Sequence, residues 1–260
     1  MMRELTSDRV VIKVGTSTLS KANGKLNTER IQELVTAIAK LKKQGKQIIL
    51  VTSGAIGAGC AILNLEKRPT LIPEKQAVAA VGQSLLMGVY DKYFSMHGFA
   101  VGQVLITKDC IEHIRRYGNA INTLNSLIHL NVIPIVNEND TVAVDEIIFG
   151  DNDTLSAYVA TMINANLLII LSDIDGLYNK NPNEPDAVLI SEVVKITDTI
   201  KAYAGGAGSA HGTGGMETKL EAATIAARNG TKTIIASGAQ PEKLEDILNG
   251  EIIGTYFDLK

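Results

Sequence analysis

The chain has little of several residue types, and each shortage excludes a class of protein. It has no tryptophan and only two cysteines, Cys60 and Cys110, among its 260 residues. Two cysteines are too few for a disulfide framework or a four-ligand zinc site. Such sparing use of cysteine is typical of reducing compartments, so we expect a cytoplasmic protein.

The chain also lacks an excess of positive charge and a long apolar run. Its formal net charge is -3, whereas proteins that live on nucleic acid are usually basic, so we expect no nucleic-acid partner. The longest apolar stretch, 167–171, is far too short to span a bilayer. The first nine residues include four charged residues and contain no apolar run. We therefore expect neither membrane association nor a signal peptide.

What the chain does have is an ordinary globular composition, with 45% hydrophobic and 20% charged residues and 23 glycines. Segments typical of strands alternate with segments of helical periodicity. The predicted strands are 9–14, 47–51, 100–106, 132–136, 167–171, 231–236 and 252–256. The predicted helices are 27–44, 75–93, 111–130, 154–165, 216–228 and 244–248.

This alternation predicts an α/β fold with a mainly parallel sheet, in one domain over 1–260 with its core at about 9–255. Pro134 suits the end or the edge of a strand better than its centre. The segment 140–150 has alternating β-branched residues and is predicted to form a hairpin or lid. Ligands of such sheets bind in the loops that leave the strand tips.

The first two strand exits are rich in glycine. Lys13 stands inside the first strand, two residues before Gly15. It is either a surface lysine or a cation aimed at phosphate, with Gly15 allowing backbone N–H groups to approach anionic oxygens. The second exit, 52–59, is composed mainly of small residues. These serve either tight helix packing or the binding of an anion at a helix N-terminus.

Later exits are acidic and rich in amides. The segments 137–140 and 150–153 together carry four carboxylates and three amides around the predicted lid. They form Asx-rich turns, or they bind a metal, an ammonium group or lysines, and Asp153 taken alone is also a plausible N-cap. Asp173 at the tip of the fifth strand suits a ribose, a metal or a lysine, and a turn is the simpler interpretation of this exit.

The last informative exit is 212–219, where glycines precede a helix that has Lys219 in its first turn. This arrangement is typical of an anion nest, although a flexible glycine linker would look similar. The spacing is not that of a P-loop, and no G-x-G-x-x-G follows the first strand, which argues against a nicotinamide oxidoreductase.

Two lysines and three glycine-rich exits suit phosphoryl transfer, in which fixed cations and N–H dipoles offset the repulsion between anions. A carboxylate acceptor is already ionised at pH 7 and needs no general base. No histidine occurs in a motif of a general base.

With these segments in view, the chain resembles the amino acid kinase family, in particular the branch that phosphorylates the side-chain carboxylate of glutamate. The resemblance spans about 11–255 and rests on the strings VIKVGTSTL, VTSGAIGAG, AAVGQ, VGQVLIT, NVIPIVNENDTVA, FGDNDTLSA, LLIILSDIDGLY and GTGGMETKL. It implies an αβα sandwich around a mainly parallel sheet. It also implies ATP-dependent formation of L-glutamyl 5-phosphate, the first step of proline biosynthesis.

The resemblance carries residue roles with it. Lys13 and Lys219 resemble the cations on the transferring phosphoryl group, and Asp153 resembles the carboxylate that orients them. The residues that resemble glutamate contacts are Ser53, Gly54, Ala55, Asn137, Asp140 and Asn152, with Asp140 suited to the α-ammonium group. The residues that resemble the nucleotide side are Lys13, Gly15, Ser172, Asp173, Thr213, Gly214, Gly215, Met216, Glu217, Thr218 and Lys219.

Cofactors and partners follow from the same resemblance. ATP is expected as co-substrate with Mg²⁺, which we expect to arrive with ATP and to be held mostly by phosphates and water. The implied partners are glutamate-5-semialdehyde dehydrogenase, which would receive the labile product, proline as feedback inhibitor, and further copies of the chain in a dimer or tetramer.

The chain departs from the branch in two respects. Many of its members add a C-terminal PUA domain, which we do not expect here, and Ser172 stands where the family often has threonine. Alternatives within the family are acetylglutamate, carbamate, aspartate and uridylate kinases. A non-catalytic sensor of amino acids or nucleotides is the alternative outside catalysis.

Overall fold

Strands and helices alternate in the computed structural model, which describes residues 2–21, 24–143, 152–205 and 215–259. The strands are β1 (Arg9–Val14), β2 (Gln47–Thr52), β3 (Val101–Ile106), β4 (Ile133–Glu138), β5 (Leu167–Ser172), β6 (Glu192–Val193), β7 (Lys232–Ser237) and β8 (Thr255–Phe257). The helices are α1 (Thr16–Leu19), α2 (Thr28–Lys43), α3 (Ala55–Ile62), α4 (Ile72–Ser95), α5 (Lys108–Glu112), α6 (Ile114–His129), α7 (Asn152–Met162), α8 (Asp198–Ala204), α9 (Met216–Ala227) and α10 (Leu244–Leu248).

The strands form one sheet in the order β3-β4-β2-β1-β5-β7-β8-β6. Every pair is parallel except β7 and β8, which are antiparallel. The carboxyl ends of β1, β2, β3, β4, β5 and β7 therefore meet at one edge of the sheet. This arrangement confirms the predicted mainly parallel sheet.

Both faces of the sheet are buried, because alternate side chains of each strand point to opposite sides. In β1, Val10, Ile12 and Val14 belong to one core, which includes apolar side chains of α2, α4 and α10. Val11 belongs to the other core, formed with α6, α7 and α9. Helices on both faces confirm the αβα sandwich, and the alternation places Lys13 on the α7 and α9 side.

The predicted strands are confirmed with their ends shifted by a residue or two, except that the last strand begins at Thr255 rather than at 252. The helix predicted at 111–130 is wrong as one piece. His113 has an extended backbone, with φ −101° and ψ 110°, and it separates α5 from α6. Helices α1, α3 and α8 and strand β6 lie outside the predicted segments. Helix α7 begins at Asn152 rather than at 154, so Asp153 lies inside its first turn.

Pro134 is the second residue of β4, which confirms a position near a strand end. The strand is not an edge strand, because it lies between β3 and β2. Its pairing with β2 begins only at Ile135, so the missing N–H of Pro134 interrupts no registered pair there. Of the predicted hairpin, 144–150 lie outside the described residues, and 140–142 form a turn. Within the described chain, no helix combines the length and the hydropathy needed to cross a membrane.

Helices α3 and α4 touch backbone to backbone. A Cβ atom built on Gly59 would lie 2.0 Å from the carbonyl oxygen of Val78, and one on Gly82 would lie 1.8 Å from the carbonyl oxygen of Ala55. Real Cβ atoms do not approach so closely, so only glycine fits at these positions. The contact fixes α4 against the loop that leaves β2.

We expect Gly82→Ala to lower the free energy of unfolding by at least about 3 kcal/mol or to prevent folding, because the new methyl group would overlap a rigid carbonyl. Gly88→Ala is the matched control on the same helix, where a Cβ atom meets nothing within 4 Å. It should raise stability by about 0.5–1 kcal/mol, since alanine loses less backbone entropy. Urea unfolding measures both, and equal effects would contradict the close contact.

Candidate active site

Three of the predicted site residues form a buried charged cluster. Lys13 Nζ lies 2.5 Å from Asp153 Oδ1, and Lys219 Nζ lies 3.1 Å from Asp153 Oδ2. Asp153 has no solvent exposure, and both lysines are buried. Two ammonium groups contact this one carboxylate, and ammonium groups held in place in this way are suited to bind an anionic ligand.

Each member of this cluster comes from a different element. Lys13 is on the α7 and α9 side of β1, Asp153 is in the first turn of α7, and Lys219 is in the first turn of α9. Thr218 Oγ1 lies within hydrogen-bond distance of two acceptors, 3.1 Å from Asp153 Oδ2 and 2.9 Å from the carbonyl oxygen of Gly215. The start of α9 is therefore tied to α7 through side chains.

Gly15 lies directly beside this cluster. A Cβ atom built there would be 3.6 Å from Lys13 Nζ, so the ammonium group bends back over the turn that follows β1. Glycine leaves this space open. Val14 pairs with Leu171 in the neighbouring strand, so Ser172 lies next to Gly15 at the same edge of the sheet.

A second group consists of neutral amides. Asn152 Nδ2 lies 2.5 Å from the carbonyl oxygen of Thr52, 2.9 Å from Ser53 Oγ and 2.8 Å from Asn137 Oδ1. Asn137 Nδ2 donates to Gln83 Oε1, at 2.8 Å. This amide chain, made of Gln83, Asn137 and Asn152, connects α4, β4 and α7 at the tip of β2.

Gly54 and Ala55 follow Ser53 directly. Gly54 has φ +99°, the left-handed conformation that favours glycine, and it precedes the first residue of α3. Ala55 is buried. The structure thus brings Ser53, Asn137 and Asn152 into contact and continues that contact into the start of α3.

Asp140 lies in the turn after β4 and makes no hydrogen bond or ion pair with the described residues. Burial raises the pKa of its carboxyl group from the ordinary 3.8 to about 6. A carboxylate placed where desolvation opposes its charge is typical of a binding site for a cation.

The predicted nucleotide residues lie at two places. Ser172 is buried at the end of β5, where its hydroxyl donates to Asp173 Oδ1 at 3.0 Å. Gly215, Met216, Glu217, Thr218 and Lys219 form the start of α9, with Met216 against the core and Glu217 exposed. Thr213 and Gly214 lie outside the described residues.

Sequence reasoning missed Gln83, which it quoted in AAVGQ without assigning a role. The signal was available, because a glutamine in the stripe of buried residues on α4 is unusual and needs a polar partner. The described residues contain no group of three or more His, Cys, Asp or Glu side chains able to hold a metal ion. The described residues therefore offer no such set of ligands to a resident metal ion.

Known proteins are similar to this chain in sequence and in fold. The profile of the amino acid kinase family matches residues 8–237. The chain belongs to the amino acid kinase family. It is 52% identical to a glutamate 5-kinase of Clostridium perfringens, over 98% of this chain and 96% of the relative. It is 53% identical to a glutamate 5-kinase of Listeria monocytogenes, over 98% of this chain and 94% of the relative.

A solved carbamate kinase from Giardia lamblia, bound to AMP-PNP, superposes with a TM-score of 0.68. It covers 98% of this chain and 99% of its own, at 21% identity, so this likeness shows the fold. It confirms that an amino acid kinase sandwich is the right architecture.

Asp140→Asn should stabilise the protein at pH 7 by about 1–3 kcal/mol, because the native state binds a proton at Asp140 more tightly than the unfolded chain does. The stability that this carboxyl group contributes therefore falls as pH rises from 3.8 to about 6. The asparagine variant lacks that loss, and its advantage should vanish near pH 4. Urea unfolding at both pH values measures the difference, and a constant difference would contradict the raised pKa.

Proposed function

We propose that the protein is a glutamate 5-kinase, which transfers the γ-phosphoryl group of ATP to the side-chain carboxylate of L-glutamate. The products are L-glutamyl 5-phosphate and ADP. Relatives of this name are about half identical to the chain over almost its full length. In the structure, the proposal is supported by the contacts of Asp153 with Lys13 and Lys219, next to the amide chain that ends at Asn152.

In the proposed step, a carboxylate oxygen of glutamate attacks the γ-phosphorus while the bond from that phosphorus to the β,γ-bridging oxygen breaks. ADP leaves with the electron pair of that bond. The carboxylate is ionised at pH 7, so no proton has to be removed from the nucleophile. The work of the protein is therefore orientation and neutralisation of charge.

Lys13 and Lys219 are proposed to neutralise the oxygens of the transferring group. Asp153 is proposed as a positioning residue, because it contacts both lysines and has no exposure of its own. Fixed cations in a site that excludes water stabilise developing charge without reorganisation. Mg²⁺ would arrive with ATP and supply further neutralisation of its phosphates.

The part of the proposed site that would bind the amino acid lies at the carboxyl end of β2, next to the starts of α3 and α7 and the end of β4. Asp140 would hold the α-ammonium group, since it is a half-buried carboxylate with a raised pKa and it makes no ion pair with the described residues. The other proposed glutamate contacts are Ser53, Gly54, Ala55, Asn137 and Asn152.

The nucleotide side is proposed on the other side of Lys13. Gly15 and Ser172 are neighbours at the sheet edge, and the start of α9 provides backbone N–H groups for phosphates. The remaining proposed ATP contacts are Asp173, Thr213, Gly214, Gly215, Met216, Glu217 and Thr218.

The wider proposal places this reaction in proline biosynthesis in the cytoplasm, in one catalytic domain whose sheet includes strands from Arg9 to Phe257. An acyl phosphate is labile, so a glutamate-5-semialdehyde dehydrogenase would have to take it up promptly. Proline as feedback inhibitor and a homo-oligomer are parts of the same proposal.

Lys13→Met and Lys219→Met should each lower kcat by about 100- to 1000-fold, because a fixed positive charge on the reacting phosphoryl group is lost. Lys195→Met is the matched control, since Lys195 is exposed and forms no ion pair with the described residues. It should leave kcat unchanged. ADP release under saturating substrates measures the effect, and wild-type turnover in either cluster variant would remove that lysine from the proposed step.

Trapping the acyl phosphate with hydroxylamine tests the function itself. We expect hydroxamate formation that needs ATP and L-glutamate and is far weaker with N-acetylglutamate, aspartate or carbamate precursors. N-acetylglutamate lacks the free ammonium group that Asp140 would bind. Equal or greater turnover with any of the others would replace the proposed substrate, and no turnover with any of them would favour a non-catalytic sensor.

A further inference from the structure

Gln83 lies in the interior next to the proposed glutamate site. It follows Gly82, whose contact with the carbonyl oxygen of Ala55 holds α4 against the first turn of α3. Ala55 in turn is two residues after Ser53. The close contact between α3 and α4 at Gly59 and Gly82 therefore places Gln83 near the tip of β2, and its side chain is buried there.

Two backbone groups determine which end of each side-chain amide in the amide chain is the oxygen and which is the nitrogen. The carbonyl oxygen of Thr52 can only accept, so the group of Asn152 beside it is Nδ2. The backbone N–H of Glu138 can only donate, and it does so to Asn137 Oδ1, at 2.9 Å. Asn137 must therefore donate from Nδ2 to Gln83, and Gln83 must accept this hydrogen bond with Oε1.

The consequence is that Gln83 Nε2 faces away from the amide chain with both of its hydrogens. This nitrogen is buried, and none of the described residues accepts a hydrogen bond from it. An unpaired buried donor is costly, and buried amides almost always have a partner. A bound ligand with an acceptor oxygen would satisfy it.

We propose that Gln83 is a substrate-binding residue whose Nε2 donates a hydrogen bond to the α-carboxylate of the amino-acid substrate. This inference rests on the proposed function. It adds a direct contact that selects an acidic amino acid with a free α-carboxylate.

The position of Gln83 in the site indicates that it contacts the α-carboxylate of the substrate rather than the side-chain carboxylate. The polar residues run from Gln83 through Asn137 to Asn152, and Asn152 adjoins Asp153 at the lysine cluster. The reacting carboxylate belongs at the lysine end, so the opposite end of the substrate belongs near Gln83. Asp140, proposed for the ammonium group, is three residues beyond Asn137, and ammonium and α-carboxylate share one carbon.

The test compares L-glutamate with its α-carboxamide, L-isoglutamine, which keeps the reacting side-chain carboxylate. Gln83→Glu can still accept from Asn137 but cannot donate when ionised, and it repels the α-carboxylate. We expect kcat/KM for glutamate to fall about 100-fold, mainly through a higher KM. We expect kcat/KM for isoglutamine to fall less, because its amide can donate a hydrogen bond to the carboxylate introduced by this substitution. The preference for glutamate over isoglutamine should therefore drop by at least about 30-fold, with KM for ATP unchanged.

Gln83→Met provides a second variant of similar length, without a donor and without any charge. It should lower the preference for glutamate by about tenfold, because the carboxylate loses a charge-assisted hydrogen bond. Gln32→Glu makes the same chemical change as the first variant at an exposed position of α2 and should leave the preference as in the wild type. Thermal unfolding checks that each variant is folded.

The outcomes separate this inference from the proposed function. A wild-type protein that does not phosphorylate glutamate would overturn the function, whatever Gln83 does. A wild-type kinase whose two folded Gln83 variants lose activity equally on both substrates would overturn the inference, because Gln83 would then only support the fold. A shift in preference confined to the Gln83 variants is the expected result.

Discussion

A single buried carboxylate that holds two ammonium groups is the interaction on which the site depends. Asp153, Lys13 and Lys219 come from α7, β1 and α9, so their contacts join three elements at one edge of the sheet. Burying such charges is costly, and removing one partner of a buried ion pair typically costs about 3–5 kcal/mol. Two ammonium groups held in place by one carboxylate are suited to bind an anion.

The amide chain complements that cluster because Asn152 and Asp153 are consecutive residues of α7. One residue contacts the tip of β2 and the other contacts the two lysines. A shift of α7 would therefore disturb both ends of the site together. The neutral end is suited to hold an amino acid, and the charged end to hold a phosphoryl group, which is the order that a direct transfer between them requires.

Much of the fold could be predicted because strand and helix periodicities are local properties of the sequence. The exceptions have other causes. The small-residue segment of α3 has no apolar stripe, because it packs backbone to backbone against the next helix, α4, through Gly59 and Gly82. His113 interrupts a helix whose apolar pattern continues on both sides. Pattern alone detects neither a backbone contact nor a single extended residue.

The sequence by itself determined that Lys13 lies in a strand beside a glycine turn, that Lys219 opens a helix after glycines, and that acidic and amide residues follow other strands. Those are statements about neighbours along the chain. The family resemblance implied that Asp153 orients both lysines, but only the tertiary structure gives the contacts themselves and shows that Gln83 completes the amide chain. Such pairings depend on how parallel strands and their helices are arranged across the sheet, over separations of 54 to 66 residues for Gln83–Asn137 and Asp153–Lys219.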